Sequence, residues 1–121
     1  MWNAKNCEVF EYFGYESNNF VFYNTCYHIT SFVFGDTVEV IPSCLCLGMH
    51  NLTSISIPES VIGIGCAAFE NCESITSITI PENVAYIGES AFLCCKSLAS
   101  VVWNAKNCED FETEYYAPFN H

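Results

Sequence analysis

The chain has 121 residues, half of them apolar, with fourteen acids, three lysines and no arginine, for a net charge near −11. That surplus repels phosphate backbones and anionic lipid, and a chain without arginine has no bidentate base reader, so neither nucleic acid nor an acidic membrane is expected as a partner. No apolar run reaches the ~18 residues a membrane helix needs, and no basic start leads into an apolar stretch, so neither membrane insertion nor a signal peptide is expected in this chain.

Residues 1–28 read as an atypical first coil or cap. They open with Trp2-Asn-Ala-Lys-Asn-Cys-Glu and run through Tyr12-Phe13-Gly14-Tyr15 to Phe20, Phe22, Tyr23 and Tyr27. Aromatic rings with a polar tip are favoured at interfaces, which makes Tyr12 and Tyr15 candidate partner-binding residues.

From Ile29 the chain repeats itself every 23 residues, as Ile29–Asn51, Leu52–Ser74 and Ile75–Ser97, and Leu98 starts a fourth unit that soon departs. A fixed period in this range is the mark of a solenoid, in which each unit buries its apolar face against its neighbours. Slot one is Ile29, Leu52, Ile75 and Leu98. Slots four and six, Phe32/Phe34, Ile55/Ile57, Ile78/Ile80 and Val101/Trp103, alternate with polar residues as a short strand does. Pro58 and Pro81 end that strand, since proline cannot donate to a ladder. Slot ten (Val38, Val61, Val84) and slot thirteen (Ile41, Ile64, Ile87) return to the core. Gly65 and Gly88 are expected to permit a tight turn, and Ala68-Phe69 and Ala91-Phe92 to form a helical or 3₁₀ turn that drives a phenylalanine inward.

The pattern Ile-x-Ile-Pro-x-x-Val-x-x-Ile-Gly-x-x-Ala-Phe-x-x-Cys resembles the BspA-like, Treponema-type leucine-rich repeat, and residues 29–103 carry the likeness. The resemblance implies an α/β-type, mainly β repeat solenoid: a right-handed leucine-rich-repeat coil with a short parallel sheet on one face and short helical or 3₁₀ turns opposite. It also implies a cell-surface or secreted parent, with adhesion and host contact as frequent roles. One departure is slot nine, Thr37, Ser60 and Asn83, where the commonest form has an asparagine or cysteine column. The usual asparagine ladder is therefore not expected.

A longer repeat encloses the short one. Trp2–Phe20 and Trp103–His121 are identical at 11 of 19 positions, and the 101-residue offset equals three 23-residue coils and one of 32. The expected organisation is one solenoid over 1–121: a cap at 1–28, three repeats at 29–97, and a partial repeat at 98–121 carrying the second Trp-Asn-Ala-Lys-Asn-Cys segment. Such a chain reads as a piece of a longer array, and self-association through its ends is an open expectation.

No catalytic constellation stands out, and no enzyme activity and no cofactor are expected. The pairs Cys26/His28 and Cys46/His50 lie in no recognisable elbow or glycine-rich loop. Nine cysteines lack the paired Cys-x-x-Cys spacing of zinc ribbons and read mainly as small buried hydrophobes. Their number also fits a reducing compartment, so a cytoplasmic location stays open beside the surface one. The acidic column Asp36, Glu59 and Glu82 reads as exposed strand-end carboxylates rather than a calcium site, and no metal site is assigned. Asn51-Leu52-Thr53 matches a glycosylation sequon, but Leu52 is a core slot, so the match reads as chance.

The remaining candidate is the outward face of the strands. Slot three is Ser31, Ser54, Ser77 and Ser100, and slot five includes Ser56 and Thr79. These residues form a hydroxyl-rich strip suited to a protein or glycan partner. The expected function is a non-enzymatic binding or adhesion-type module, with a structural spacer that associates end to end as the alternative.

Overall fold

The computed structural model describes residues 26–108 and 118–119. It is built mainly of short parallel strands, preceded by one three-residue 3₁₀ turn, Cys26–His28. Each repeat contributes a strand from its Ile-x-Ile slots: β1 (Ser31–Val33), β3 (Ser54–Ser56), β5 (Ser77–Ile80) and β7 (Ser100–Trp103). A second strand comes from slots twelve and thirteen: β2 (Val40–Ile41), β4 (Gly63–Ile64) and β6 (Tyr86–Ile87). Equivalent strands pair parallel and in the register of the repeat, Phe32 beside Ile55 and Ile78 beside Val101. β2, β4 and β6 form one three-stranded sheet, whereas β1–β3 and β5–β7 form separate pairs, with β3 beside β5.

The repeating slots fill one core. Val38, Val61, Val84, Ile41, Ile64, Leu52 and Ile75 are buried, as are Ile57, Ile78 and Ile80. Phe69 and Phe92 of slot eighteen form a column with Phe119 of the partial repeat: Phe69 stacks on Phe92 at 5.3 Å and Phe92 on Phe119 at 4.9 Å, with planes nearly parallel. Offset stacking of this kind adds to the apolar burial of the rings.

In place of the expected helical or 3₁₀ turn, Ala68-Phe69 lies in a run of tight turns. The amides of Ala67, Phe69 and Asn71 donate to the carbonyls of Glu89, Ala91 and Leu93 one unit on, at 2.9, 2.7 and 2.8 Å. The intervening amides of Ala68, Glu70 and Cys72 close local turns onto Gly65, Ala67 and Phe69. Cys44 to Met49 repeats this alternation against the second unit. A helix would direct every amide along its own axis. Here two left-handed residues per unit turn alternate amides toward the neighbour. They fall in slot sixteen (Cys44, Ala67 and Ser90, φ 54–61°) and slot twenty (Gly48, Asn71 and Cys94, φ 58–74°).

Gly65 and Gly88 do not supply that conformation, because neither has positive φ. They are glycines for close approach. A Cβ on Gly65 would lie 2.3 Å from the Ser43 amide nitrogen, and one on Gly88 2.4 Å from that of Cys66. The amides of these glycines also donate to Ile41 and Ile64 of the preceding unit at 2.7 Å.

A polar ladder does tie the units, in a mixed form. In slot nine Ser60 Oγ donates to the Val38 carbonyl at 2.6 Å and Asn83 Nδ2 to that of Glu59 at 3.0 Å. In slot twenty-three Asn51 Nδ2 and Ser74 Oγ do the same to Tyr27 and His50 at 2.7 and 2.6 Å. Serine and asparagine share a role usually left to asparagine alone, since both reach a carbonyl one strand spacing away.

Candidate functional site

The strands hold the predicted hydroxyls outward and in register. Ser31 stands beside Ser54 and Ser77 beside Ser100, with Ser56 and Thr79 in the adjoining column next to Val33 and Val102. All six hydroxyl residues are exposed. Their side chains make no hydrogen bond within the described residues, in contrast to Ser60, Ser74 and Thr53, whose hydroxyls donate to the preceding unit. The strip is thus a set of free donors and acceptors on a fixed backbone. Tyr12 and Tyr15, the aromatic half of the expected site, lie outside the described residues.

Beside the strip runs a mixed column in slot twenty-two, which composition alone did not single out. Tyr27 stacks on His50 at 5.1 Å, His50 Nδ1 lies 3.7 Å from Glu73 Oε2, and Lys96 Nζ donates to Glu73 Oε1 at 2.8 Å. Lys96 holds the Glu73 carboxyl below its usual range, and Glu73 raises the Lys96 ammonium in turn. Both groups are exposed, so the pair orders side chains more than it stabilises the fold.

Cys26, Cys46 and Cys72 belong to the core, and Cys95 and Cys108 pack against it. Cys26, Cys44, Cys46 and Cys72 are buried, and Cys44, Cys46, Cys66, Cys72 and Cys95 are free thiols. Cys72 Sγ donates to the Cys46 carbonyl at 3.2 Å and Cys95 Sγ to the Phe69 carbonyl at 3.3 Å, so slot twenty-one repeats a weak thiol bond across the units. Burial pushes the thiols of Cys46 and Cys72 far up, that of Cys95 up to about 12 and that of Cys44 up to about 11, where the buried Glu70 carboxylate also contributes. Thiolate is the nucleophile and the metal ligand, so Cys46 is poorly suited to act with His50. Among the described residues no three His, Cys, Asp or Glu side chains converge on a point where a metal would sit. The Glu82 carboxylate of the acidic column is engaged by Lys106 at 2.6 Å. In the sequon, Asn51 and Thr53 both spend their side chains on the preceding unit.

At the far end of the stack the core opens. A cleft of about 410 Å³ is lined by Phe92, Cys95, Leu98, Val101 and Phe119, with Lys96 beside them. Val101 and Trp103 occupy slots buried in the preceding unit, yet both are 42% exposed, and Val102 is 48% exposed. Among the described residues β7 pairs with β5 alone, and no helix there is long and apolar enough to cross a membrane.

The repeat that builds this surface is matched by a known family, described as a BspA type leucine rich repeat region (6 copies), over residues 16–118. No curated protein and no solved structure matches the chain. Leucine-rich repeats of this kind point to protein interaction and are typically non-enzymatic. A match over most of the chain, on the slots that the strands and core occupy, places this protein in the BspA type leucine rich repeat family.

Proposed function

We propose that the chain is a non-enzymatic, adhesion-type binding module of a cell-surface or secreted protein, which presents its strand face to a protein or glycan. In this reading the units wind as a right-handed solenoid, and Ser31, Ser54, Ser56, Ser77, Thr79 and Ser100 make the contact. The supporting observation is that these six hydroxyls are exposed, in register within each strand pair, and without a side-chain hydrogen bond among the described residues. Rigid parallel strands fix the spacing of such groups, which lowers the ordering cost of binding. The buried thiols of Cys46 and Cys72 are compatible with an oxidising exterior, because protonated and inaccessible sulfur oxidises slowly. The test is the pair Ser54→Lys and Ser77→Lys, assayed for fold by circular dichroism and for binding against arrays of glycans and purified extracellular proteins. The fold is expected to persist and binding to disappear; a partner held equally well by the variant would sink the reading.

A second reading is a spacer that associates end to end. The exposed core-slot residues Val101 and Trp103 and the open cleft that Val101 lines favour it, since β7, which pairs with β5 alone among the described residues, presents an edge that invites another strand. Light scattering on a sizing column decides. Mass that rises with concentration supports the spacer, and a monomer at every concentration removes it.

A further inference from the structure

The second sheet carries an apolar patch on a face that an acid-rich chain has every means to keep polar. Ile62 is 44% and Tyr86 39% exposed, and Ala85 is exposed between them. Glu39, Ile62 and Ala85 form one column, tied by 2.8 Å bonds from each amide to the carbonyl before it. Val40, Gly63 and Tyr86 form the next. The two columns put Ala85 next to Ile62 and Tyr86 next to Gly63, so three exposed apolar residues lie in the unit-two and unit-three part of the sheet.

Tyr86 is held there by a glycine. A Cβ on Gly63 would lie 2.0 Å from Tyr86 Cζ and 2.3 Å from its Oη, so the phenol end of the ring rests directly over the Gly63 backbone. Gly63 has ordinary φ, and the missing side chain serves the ring rather than the backbone. The ring is therefore docked before any partner arrives. Pre-positioned tyrosine, with two torsions to fix and a large amphipathic surface, is characteristic of binding hot spots.

The chain next to these strands is acidic. Asp36, Glu59 and Glu82 are exposed just before these strands, and Glu39 and Glu89 flank them. Glu89 also lines a hollow of about 290 Å³ with Cys66, Ala67 and Ser90. The side chains of Glu39, Glu59 and Glu89 make no ion pair or hydrogen bond within the described residues. Of the two described lysines, Lys106 is held by Glu82, and Lys96 by Glu73 in slot twenty-two.

We infer that the Ile62–Ala85–Tyr86 face is a second docking surface, and that its partner is a lysine- or arginine-bearing protein segment. A cationic side chain stacks on the Tyr86 face, which attracts it through the ring quadrupole. Its neighbours meet Glu39 and Glu89, and a further cation enters the hollow beside Glu89. A second copy of this chain brings the same charge of −11 and is repelled by these carboxylates. A neutral glycan leaves the carboxylates without counterparts. The surface is distinct from the hydroxyl strip.

The experiment titrates the isotope-labelled protein with an acetylated hexa-arginine peptide, followed by amide NMR shifts. Hexaglutamate and maltohexaose are the controls. Shifts are expected to concentrate at Ile62, Gly63, Ala85, Tyr86 and Glu89. Tyr86→Ala, which removes a half-exposed ring, is expected to weaken binding about tenfold. Glu89→Gln is expected to weaken it and to flatten its salt dependence. Shifts spread over all acidic residues with Tyr86→Ala unchanged overturn the proposal. So does an equal response to maltohexaose, or a shift with protein concentration alone. Ser54→Asn with Ser77→Asn is expected to leave the arginine titration as it was; a loss there assigns the peptide to the strand strip instead.

Discussion

The ring of Phe34 meets that of Phe69 edge-on, with centroids 6.3 Å apart and planes at 82°. Phe34 sits in a slot that holds Ile57 and Ile80 in the next units, and the unit that carries it has Cys46 where the others have Phe69 and Phe92. The small residue in one slot leaves room that the large residue in the other fills, on the side of Phe69 away from Phe92. Phe34→Ile alone removes ring packing at a cost of about 2 kcal/mol, and Cys46→Phe alone overpacks at a cost of about 1–3 kcal/mol. The double substitution restores the arrangement of the later units, and its cost is expected to fall well below the sum. Urea midpoints of the four proteins measure the cycle; strict additivity would disprove the compensation.

The three glycines near the second sheet separate by what lies above them. Gly65→Ala and Gly88→Ala drive a methyl into backbone of the preceding unit, which cannot move without parting the ladder, and each is expected to cost at least about 2 kcal/mol. Gly63→Ala meets only the end of the exposed Tyr86 ring, which swings away, so its stability cost is expected to stay under about 1 kcal/mol. Thermal melts of the three variants test the order.

Ser90 is held at φ 57° with its side chain half-buried. A non-glycine residue in the left-handed region costs roughly 1–2 kcal/mol, partly offset by the extra unfolded-state freedom of glycine. Ser90→Gly is therefore expected to stabilise by about 0.5–1 kcal/mol, and Ser90→Val, β-branched at the same φ, to destabilise. Equal melting temperatures for the two would argue against the turn geometry.

The thiols predict a pH dependence with a definite sign. Folding raises the Cys44 thiol from 9.0 to about 11 and the Cys95 thiol to about 12, with Cys46 and Cys72 raised further. Each folded-state value lies above the unfolded one, so the unfolded chain loses protons first as pH rises. The stability from these groups is fully present below pH 9 and is lost as pH climbs through 9 toward 11 and above. Urea midpoints are expected to fall across that range, and alkylation of the native protein at neutral pH to be slow at these four positions until denaturant is added. Rapid native labelling of Cys46 or Cys72 would contradict their burial.

Much of the molecule was legible in the period. Ile-x-Ile gave strands whose partners lie 23 residues on, and the valine and isoleucine slots entered the core, because a stack of near-identical units leaves each apolar slot only its own column to pack against. The exposed hydroxyls of slots three and five follow from the same alternation. The turn arc was not legible. Ala68-Phe69 has the look of a helix start, and the left-handed φ of Ala67 accompanies its amide bond to Glu89 of the next unit rather than any local preference of alanine.

Sequence by itself determined the repeat, the strand positions, the inward and outward slots and the family, since all of these depend on spacing along the chain. Tertiary structure alone decided the reason for Gly65 and Gly88, the thiol and Ser/Asn bonds between units, the exchange between Phe34 and Cys46, and the Tyr86 ring docked on Gly63. Each of these depends on which residue of one unit lies above which residue of another, at distances where a single methyl changes the outcome.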